Sequence, residues 1–330
     1  MGCGAKPHEP SLSYSIVDCI ERFLEVALIL IYKMGIITKT YKGLMRMILR
    51  TDLALESHEM NGEDCEGLTF EKHSECGLNI HRLNIRTASA SQRLAKPIGN
   101  YVTIESLPLS ENFRDVKEQI IIISKEILSM LPDKGTVLVI GIGNTEITSD
   151  ALGPMSAQMV IATRHISGEL AKSTGLSLLR PTAVISPGVL GKTGIETGEV
   201  VLSLLKSIKP AAVIAIDALA SKSVSRLGTT IQISDSGISP GSGIGNNRLR
   251  LDKSSLGIPV IGIGIPTVVD AYTLVSDLTG TQADFDKGKQ LMVTPKEIDL
   301  LTERGAKLIG MSINCALQQS YSFEDLTRLV

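Results

Sequence analysis

The sequence predicts an α/β protein of three layers, with a mostly parallel β-sheet between two layers of helices. Three observations predict this class. Short continuous apolar runs, such as Thr136–Ile140, alternate along the chain with segments of helical periodicity, such as Asn112–Leu131. Strands that are apolar at every position are buried on both faces, as in sheets covered by helices. Thirty glycines and thirteen prolines punctuate the runs, which is typical of the turns between such elements.

The individual elements follow in a regular order. Apolar residues recur every three or four positions from Asn112 to Leu131, and Pro132 ends that helix. Residues 50–100 are polar and predict an irregular surface segment. The remaining strands are expected at Thr182–Ser186, Ala211–Asp217, Thr229–Ile233 and Pro259–Ile263, and the remaining helices at Leu152–Ile166, Glu196–Ile208, Thr267–Leu278 and Pro295–Gln318.

Composition excludes several classes of protein. With 330 residues, 43% of them hydrophobic, the chain can bury a sizeable core. Its 33 basic and 35 acidic residues give a net charge of -2, so it lacks the cationic excess that drives nucleic-acid binding. Aromatic residues make up only 3%, which argues against base-stacking surfaces. The five cysteines form no C-x-x-C pair, so neither a disulfide scaffold nor a structural zinc site is expected, and the compartment is predicted to be reducing.

The first 47 residues are open to three interpretations. Phe23–Ile37 is the most apolar stretch, but it carries Glu25 and Lys33 and is too short for a span of about 20 residues. The segment is an amphipathic or membrane-touching leader, or a removable pro-segment. Alternatively, the start of translation has been placed too far upstream, and Met45 or Met47 is the first residue of the true protein. The second and third interpretations are favoured.

Two aspartates stand where parallel sheets place functional groups, beyond the carboxyl ends of the strands. Asp150 lies in the loop after the strand Thr136–Ile140, and Asp217 ends the run Ala211–Asp217. If these strands are neighbours, both carboxylates reach one rim of the sheet. The alternative is that each aspartate caps a helix, Asp150 the one that begins at Leu152.

Two close carboxylates can hydrolyse a peptide without a covalent intermediate, because one holds a proton while the other activates a water. They can also hold a divalent metal, usually with a third ligand such as histidine. His165 falls late in a predicted helix and no histidine follows a strand, so the pair without a cofactor is favoured and the metal remains open. A serine hydrolase is disfavoured, because Pro240 follows Ser239 where the oxyanion hole needs a backbone N–H.

Three long motifs carry a resemblance to a known family. They are GIGNTEITSDALGP at 141–154, SPGVLGKTGIETGE at 186–199 and AIDALASKSVSRLGTTIQISDSGISPGSGIGNNR at 215–248. Shorter matches are RTDLALE at 50–56, GIPTVVDA at 264–271 and MVTPKEID at 292–299. Together they closely resemble the germination proteases of spore-forming bacteria, endopeptidases that degrade small acid-soluble spore proteins. The resemblance extends from about residue 50 to the C-terminus.

The resemblance implies a homotetrameric α/β protease, made as an inactive zymogen and activated by loss of a short N-terminal segment. It implies a fold similar to that of hydrogenase-maturation endopeptidases. The family's two essential aspartates match Asp150 and Asp217, the same pair that the strand ends indicate. The family has been classed both as aspartic-type and as metallo-type. Ser239 stands where relatives are expected to have histidine, which weakens the case for a third metal ligand.

The resemblance also predicts a self-cleavage site. The family cuts after an acidic residue and before a hydrophobic residue followed by alanine, an order that Asp52, Leu53 and Ala54 fit. We therefore expect self-cleavage between Asp52 and Leu53, although Leu49 replaces the acid preferred four residues before the cut. Candidate substrate-binding residues are Asn144, Lys222, Arg226 and Arg248. The alternative interpretation of the three cations is ordinary surface charge.

The predicted organisation is a leader or pro-segment at residues 1–52 followed by a single catalytic domain at 53–330. The predicted function is an endopeptidase of the spore core, in the cytoplasm of the forespore, that initiates degradation of small acid-soluble spore proteins during germination. The expected partners are these substrates and further copies of the chain in a homotetramer, without nucleic acid or membrane. One alternative is a metal-dependent maturation peptidase that trims a single partner protein. The other is a non-enzymatic module that binds acidic or disordered proteins.

Overall fold

The fold is built on one long mixed β-sheet, seen in a computed structural model that describes residues 51–61, 65–106, 109, 116–239, 249–280 and 291–330. Its strands in these ranges are Leu68–Glu75 (β1), Leu78–Ile85 (β2), Gly99–Glu105 (β3), Val137–Gly141 (β4), Thr182–Ile185 (β5), Ala212–Ala220 (β6), Thr230–Ser234 (β7), Val260–Asp270 (β8) and Met292–Val293 (β9). The helices are Ala54–Asn61 (α1), Ala88–Leu94 (α2), Val116–Ser129 (α3), Leu152–Gln158 (α4), Gly168–Ser173 (α5), Leu190–Thr193 (α6), Thr197–Ile208 (α7), Lys253–Leu256 (α8), Ala271–Thr279 (α9), Ile298–Leu317 (α10) and Phe323–Thr327 (α11).

The strand order across the sheet is β1-β2-β3-β7-β8-β6-β4-β5, and β9 pairs with β8. Strands β5, β4, β6 and β8 are parallel to one another. Strands β1, β2, β3 and β7 pair in antiparallel fashion, and β7 joins the parallel half through β8. The predicted α/β class is confirmed, and the parallel arrangement expected for most of the sheet is limited to those four strands. Because β4 and β6 are neighbours, their carboxyl ends meet at one rim.

Helices cover both faces of the sheet, which gives the three predicted layers. Val137 and Val139 of β4 pack in a core with α3, α4 and α10. Leu138 and Ile140, at the alternate positions, pack in a second core with α7. Successive side chains of a strand point to opposite faces. A strand in the middle layer must therefore be apolar at every position, which explains its continuous apolar sequence.

The polar region at residues 50–100, predicted to be irregular, contains α1, β1, β2, α2 and the start of β3. That prediction was wrong because β1 is an edge strand whose side chains are mostly exposed, so no apolar run marks it. The two-residue turn at Cys76 and Gly77 has φ values of 49° and 77°. Positive φ at both positions is what a type I′ hairpin turn requires, so the turn joins β1 and β2 directly.

Two predicted element boundaries differ from the structure, one at a contact with a distant helix and one at a helix cap. The helix that was expected to reach Ile166 ends at Gln158, and the N–H of Ile161 donates to Oδ1 of Asn314 in α10 (2.9 Å). Strand β8 was expected to end at residue 263 but continues to Asp270. The side chain of Asp270 accepts from the N–H of Thr273 (2.9 Å), so α9 begins after this cap.

No helix within the described ranges is both long and apolar enough to cross a lipid bilayer. The predicted leader at 1–47, including Phe23–Ile37, lies outside the described residues, as does Leu49. In the described ranges Cys65, Cys76 and Cys315 are free thiols.

Candidate active site

Asp217 lies near the carboxyl end of β6 and is 6% exposed. Val213 and Ala215, at alternate positions before it, pack in the core beneath α7, so the side chain of Asp217 points to that same face. Its Oδ1 accepts from the N–H of Ala218 (2.9 Å). Strand β6 continues to Ala220, so Asp217 neither ends the strand, as predicted, nor caps a helix.

Asp217 belongs to a row of residues across three strands. Gly264 of β8 is its register partner, and Gln232 of β7 is the register partner of Gly264 on the other side. A Cβ atom on residue 264 would lie 2.5 Å from the carbonyl oxygen of Asp217. Only glycine fits between the two strands there without displacing the backbone that carries Asp217.

Asp150 ends a short 3₁₀-helix, Thr148–Asp150, in the loop between β4 and α4. Its Oδ2 accepts from the backbone N–H of Asn144 (2.8 Å), and Ala151 holds the N-cap position of α4. The carboxylate of Asp150 therefore stabilises the loop that carries it by binding the backbone of Asn144. The interpretation of Asp150 as the cap of this helix is not supported. Gly143 has a φ of 129°, and a Cβ atom there would overlap the carbonyl oxygen of Asp150.

Backbone contacts fasten the loop of Asp150 to the end of β6. The N–H of Ile142 donates to the carbonyl oxygen of Ile216 (2.8 Å), the residue before Asp217. Gly153 packs so closely that a Cβ atom on it would lie 2.5 Å from the same oxygen. Since Asp150 lies between Ile142 and Gly153 in the chain, the loop that carries Asp150 lies against the carboxyl end of β6, next to the residue before Asp217.

Asn144 is the predicted substrate-binding residue that lies in the same loop as Asp150. Its backbone N–H donates to Asp150, and its side-chain Oδ1 accepts from the N–H of Glu146 (3.1 Å). This side-chain bond is a turn of the kind that asparagine favours. Asn144 therefore shapes the loop that holds Asp150, and a direct contact with substrate stays a prediction.

Arg226 is engaged by carboxylates of this chain. Its side chain is 11% exposed and lies 3.7 Å from Glu56, 2.6 Å from Glu59 and 2.7 Å from Glu105. Burial alone would raise the pKa of Glu105, but hydrogen bonds and charges from His81 and Arg226 lower it below its ordinary value. The guanidinium joins α1 to β3, and the assignment of Arg226 to substrate binding stays a prediction.

Glu56 connects α1 to the loop that follows β6. It is 1% exposed, and its carboxylate accepts from the backbone N–H groups of Lys222 (2.7 Å) and Ser223 (2.8 Å). The backbone of Lys222 is thus held by Glu56, and the role of its side chain in substrate binding stays a prediction. Arg248 lies outside the described residues.

The predicted self-cleavage bond is docked against the end of β6. The N–H of Asp52 donates to the carbonyl oxygen of Ala220 (2.8 Å), and the N–H of Ala220 donates to Oδ2 of Asp52 (2.8 Å). On the other side, Nε2 of Gln232 donates to the carbonyl oxygen of Asp52 (3.0 Å), and its Oε1 accepts from the N–H of Ala54 (2.6 Å). Leu53, between them, is 0% exposed.

Lys96 binds Thr51, the residue before Asp52. Its Nζ donates to the carbonyl oxygen of Thr51 (2.8 Å). Burial lowers the pKa of Lys96, although the nearby charges of Asp52 and Glu56 oppose this effect. Sequence reasoning did not select Lys96, Gln232 or Glu56. The sequence marks Gln232 only weakly, because it is one of three polar residues that alternate with two isoleucines in β7.

Within the described part of the chain, no three side chains of His, Cys, Asp or Glu form a group that could hold a metal ion. Ser239, where a histidine was expected from the family, is partly exposed just before residues 240–248, which are not described.

Comparison with known proteins decides the family. A family model described as germination protease matches residues 47–281, which is more than half of the chain. The chain belongs to the germination protease family. It is 40% identical to a germination protease of Caldanaerobacter subterraneus subsp. tengcongensis, over 86% of this chain and 98% of that protein. It is 38% identical to a germination protease of Clostridium perfringens, over 86% of this chain and 99% of that protein. It is 35% identical to one of Bacillus cereus, over 83% of this chain and 95% of that protein. The family makes this chain a spore germination protease.

One solved structure is also similar. It is a [NiFe] hydrogenase maturation protease, HycI from Thermococcus kodakarensis KOD1, which is 18% identical with a TM-score of 0.34 and covers 57% of this chain and 98% of that chain.

Proposed function

We propose that this germination protease is an endopeptidase that starts the degradation of small acid-soluble spore proteins, with Asp150 and Asp217 activating a water. The observation that carries the proposal is the position of these two aspartates, on the loop after β4 and near the end of β6, two neighbouring parallel strands. Functional groups of parallel sheets collect at this rim. The family of the chain supports peptide hydrolysis as the reaction.

The proposed reaction needs one carboxylate as a base and the other as an acid. The base takes a proton from the water as the water oxygen bonds to the carbonyl carbon of the substrate peptide. The acid gives its proton to the amide nitrogen as the carbon–nitrogen bond breaks. The pair then holds one proton, as it did at the start. Two carboxylates held close together favour this sharing, because like charges at close range oppose full ionisation of both.

The same proposal includes specificity and processing. The protease cuts after an acidic residue and before a hydrophobic one, and it cleaves itself between Asp52 and Leu53, so that residues 1–52 are a pro-segment and residues 53–330 the catalytic domain. It works as a homotetramer in the spore core. The docking of Asp52 on Ala220, three residues beyond Asp217 in β6, supports the processing site.

The experiment is to incubate two purified forms, the full chain and a chain produced to begin at Leu53, with a small acid-soluble spore protein. We expect mass spectrometry to find cuts between an acidic and a hydrophobic residue, and N-terminal sequencing of the aged full chain to find Leu53. Absence of substrate cleavage by both forms would contradict the proposal.

A parallel incubation after exhaustive chelation separates the two water-activating arrangements. Unchanged activity supports the aspartate pair without a metal. Activity that is lost on chelation and restored by a divalent ion favours a metal held at the same rim. Sedimentation of both forms tests the homotetramer directly.

A further inference from the structure

We propose that Gln232 is a further catalytic residue in self-processing, because its side-chain amide holds the Asp52–Leu53 bond from both sides. This inference rests on the proposed function, since it takes that bond to be the processing site. It gives a role in the reaction to Gln232, for which only the contacts with Asp52 and Ala54 have been described so far.

The two polar atoms of the amide bracket the bond. Nε2 donates to the carbonyl oxygen of Asp52 (3.0 Å), the oxygen of the bond to be broken, and Oε1 accepts from the N–H of Ala54 (2.6 Å), one residue beyond it. Gln232 is 8% exposed, so water competes little for these hydrogen bonds. Negative charge develops on the carbonyl oxygen during hydrolysis, and an amide N–H that is already aimed at this oxygen stabilises that charge.

The side-chain amide of Gln232, which with its two hydrogen bonds forms the bracket, lies on the same face of the sheet as the carboxylate of Asp217. The neighbours of Gln232 along β7 pack in the core under α3 and α10, so Gln232 points to the opposite face, as Asp217 does. The register row of Gln232, Gly264 and Asp217 spans two strand spacings, which is about 10 Å between the outer Cα atoms. The buried side chain of Leu219 packs against Gly264, the middle residue of this row.

Further contacts fix the residues around the bond. The N–H of Leu53 donates to Oγ1 of Thr51 (3.0 Å), and Lys96 holds the carbonyl oxygen of Thr51. These contacts hold Thr51 and the amide nitrogen of the bond, whereas Gln232 holds the carbonyl oxygen of the bond and the N–H of the residue beyond Leu53. A peptide held in a fixed place beside its catalytic group reacts faster than a mobile one. The bracket therefore sets both the place and the rate of the cut.

The test compares first-order rates of self-processing in full-length chains. Gln232→Met keeps the side-chain length and removes both hydrogen bonds. We expect the rate at which chains beginning at Leu53 appear to fall by about 10²-fold, the cost of removing one donor to a developing oxyanion. An unchanged or faster rate would overturn the proposal.

Gln318 provides a matched control. Its buried amide brackets Arg180 in the same manner, accepting from the N–H (2.8 Å) and donating to the carbonyl oxygen (3.1 Å). Gln318→Met should therefore lower thermal stability about as much as Gln232→Met but leave the rate of self-processing unchanged. An equal slowing in both variants shows that the loss is one of stability alone and overturns the proposal.

Gln232→Glu gives a readout that a purely structural role would not move. When protonated, the new carboxyl supplies one donor and one acceptor, as the amide does; when ionised, it loses the donor. The ionisable side chains of Asp52, Asp217 and Lys96 lie on the elements around the bond, so the rate is divided by that of the unsubstituted chain at each pH. We expect this ratio to rise as the pH falls, and a ratio that is flat with pH contradicts the proposal.

Failure of this inference and failure of the proposed function give different results. If unsubstituted chains do not process to Leu53, or the chain that begins at Leu53 does not cleave the spore protein, the proposed function fails. If both occur and Gln232→Met processes normally, only the role of Gln232 fails.

Discussion

Asp217 and Gly264 are register partners on neighbouring strands, and a Cβ atom on residue 264 would lie 2.5 Å from the carbonyl oxygen of Asp217 and 2.6 Å from Cγ of Leu219. Neighbouring atoms at such distances leave no space for a methyl group on residue 264. The position of the buried carboxylate therefore depends on the absence of a side chain at residue 264.

Gly264→Ala should displace Asp217 and reduce the rate of substrate cleavage by at least about 10-fold, because small misplacements of catalytic groups are costly. Overpacking should also lower the free energy of unfolding by about 1–3 kcal/mol. Gly191→Ala is the control, because nothing lies within 4 Å of a Cβ atom there. Cleavage assays and chemical unfolding of both variants provide the measurement; equal activity of the two would contradict the expected displacement.

Asn144 should contribute through its side-chain oxygen. Asn144→Ala removes the bond to the N–H of Glu146 and loosens the loop whose N–H binds Asp150, so we expect about 10-fold slower cleavage. Asn144→Asp keeps an acceptor at this place and should retain more activity than the alanine variant. Steady-state kinetics on the spore protein distinguish the two. If the alanine variant is as active as the unsubstituted chain, the side chain has no part in holding the loop.

Arg226 should matter for stability, whichever role it has in substrate binding. Arg226→Met removes the guanidinium beside the buried carboxylate of Glu56, and breaking a buried ion pair typically costs about 3–5 kcal/mol. Lys222→Met is the matched control, since Lys222 contacts Glu56 through its backbone N–H, and a change within about 0.5 kcal/mol is expected. Denaturant unfolding measures both, and a small loss for Arg226→Met would refute this account of the cluster.

Glu105 should make stability depend on pH in the acid range. Its pKa in the folded protein is lowered, so its contribution to stability is present above its ordinary value of 4.5 and is lost as the pH falls through the lowered value. Glu105→Gln should be less stable than the unsubstituted chain at pH 7, and the gap should narrow in strong acid. A gap that is constant from neutral to acid pH contradicts the pairing of Glu105 with Arg226 and His81.

The sequence allowed prediction of the parallel half of the fold and, for the same reason, the selection of Asp150 and Asp217, whose catalytic role stays a prediction. Strands buried on both faces must be continuously apolar, and polar residues that follow them stand out. The hairpin of β1 and β2 gave no such signal, because an exposed edge strand is polar. Its turn at Cys76 and Gly77 was recognisable only through the glycine.

Contacts between distant parts of the chain could not be predicted in this way. Ala54 and Gln232 are 178 residues apart in the sequence, and Glu56 is 166 residues from Lys222. Local periodicity contains no information on such pairs. For the same reason Arg226 was selected as a loop cation, and only the structure shows the three carboxylates that surround it.

The most direct test of the central claim is the cleavage rate of chains that begin at Leu53 and carry Asp150→Asn or Asp217→Asn. Asp270→Asn is the control, because Asp270 caps α9 and asparagine is an equally good cap. We predict that both active-site variants lose at least about 10³-fold in the rate of spore-protein cleavage, while the control keeps its activity and all three remain folded. Substantial activity in either Asp150→Asn or Asp217→Asn would contradict the aspartate pair.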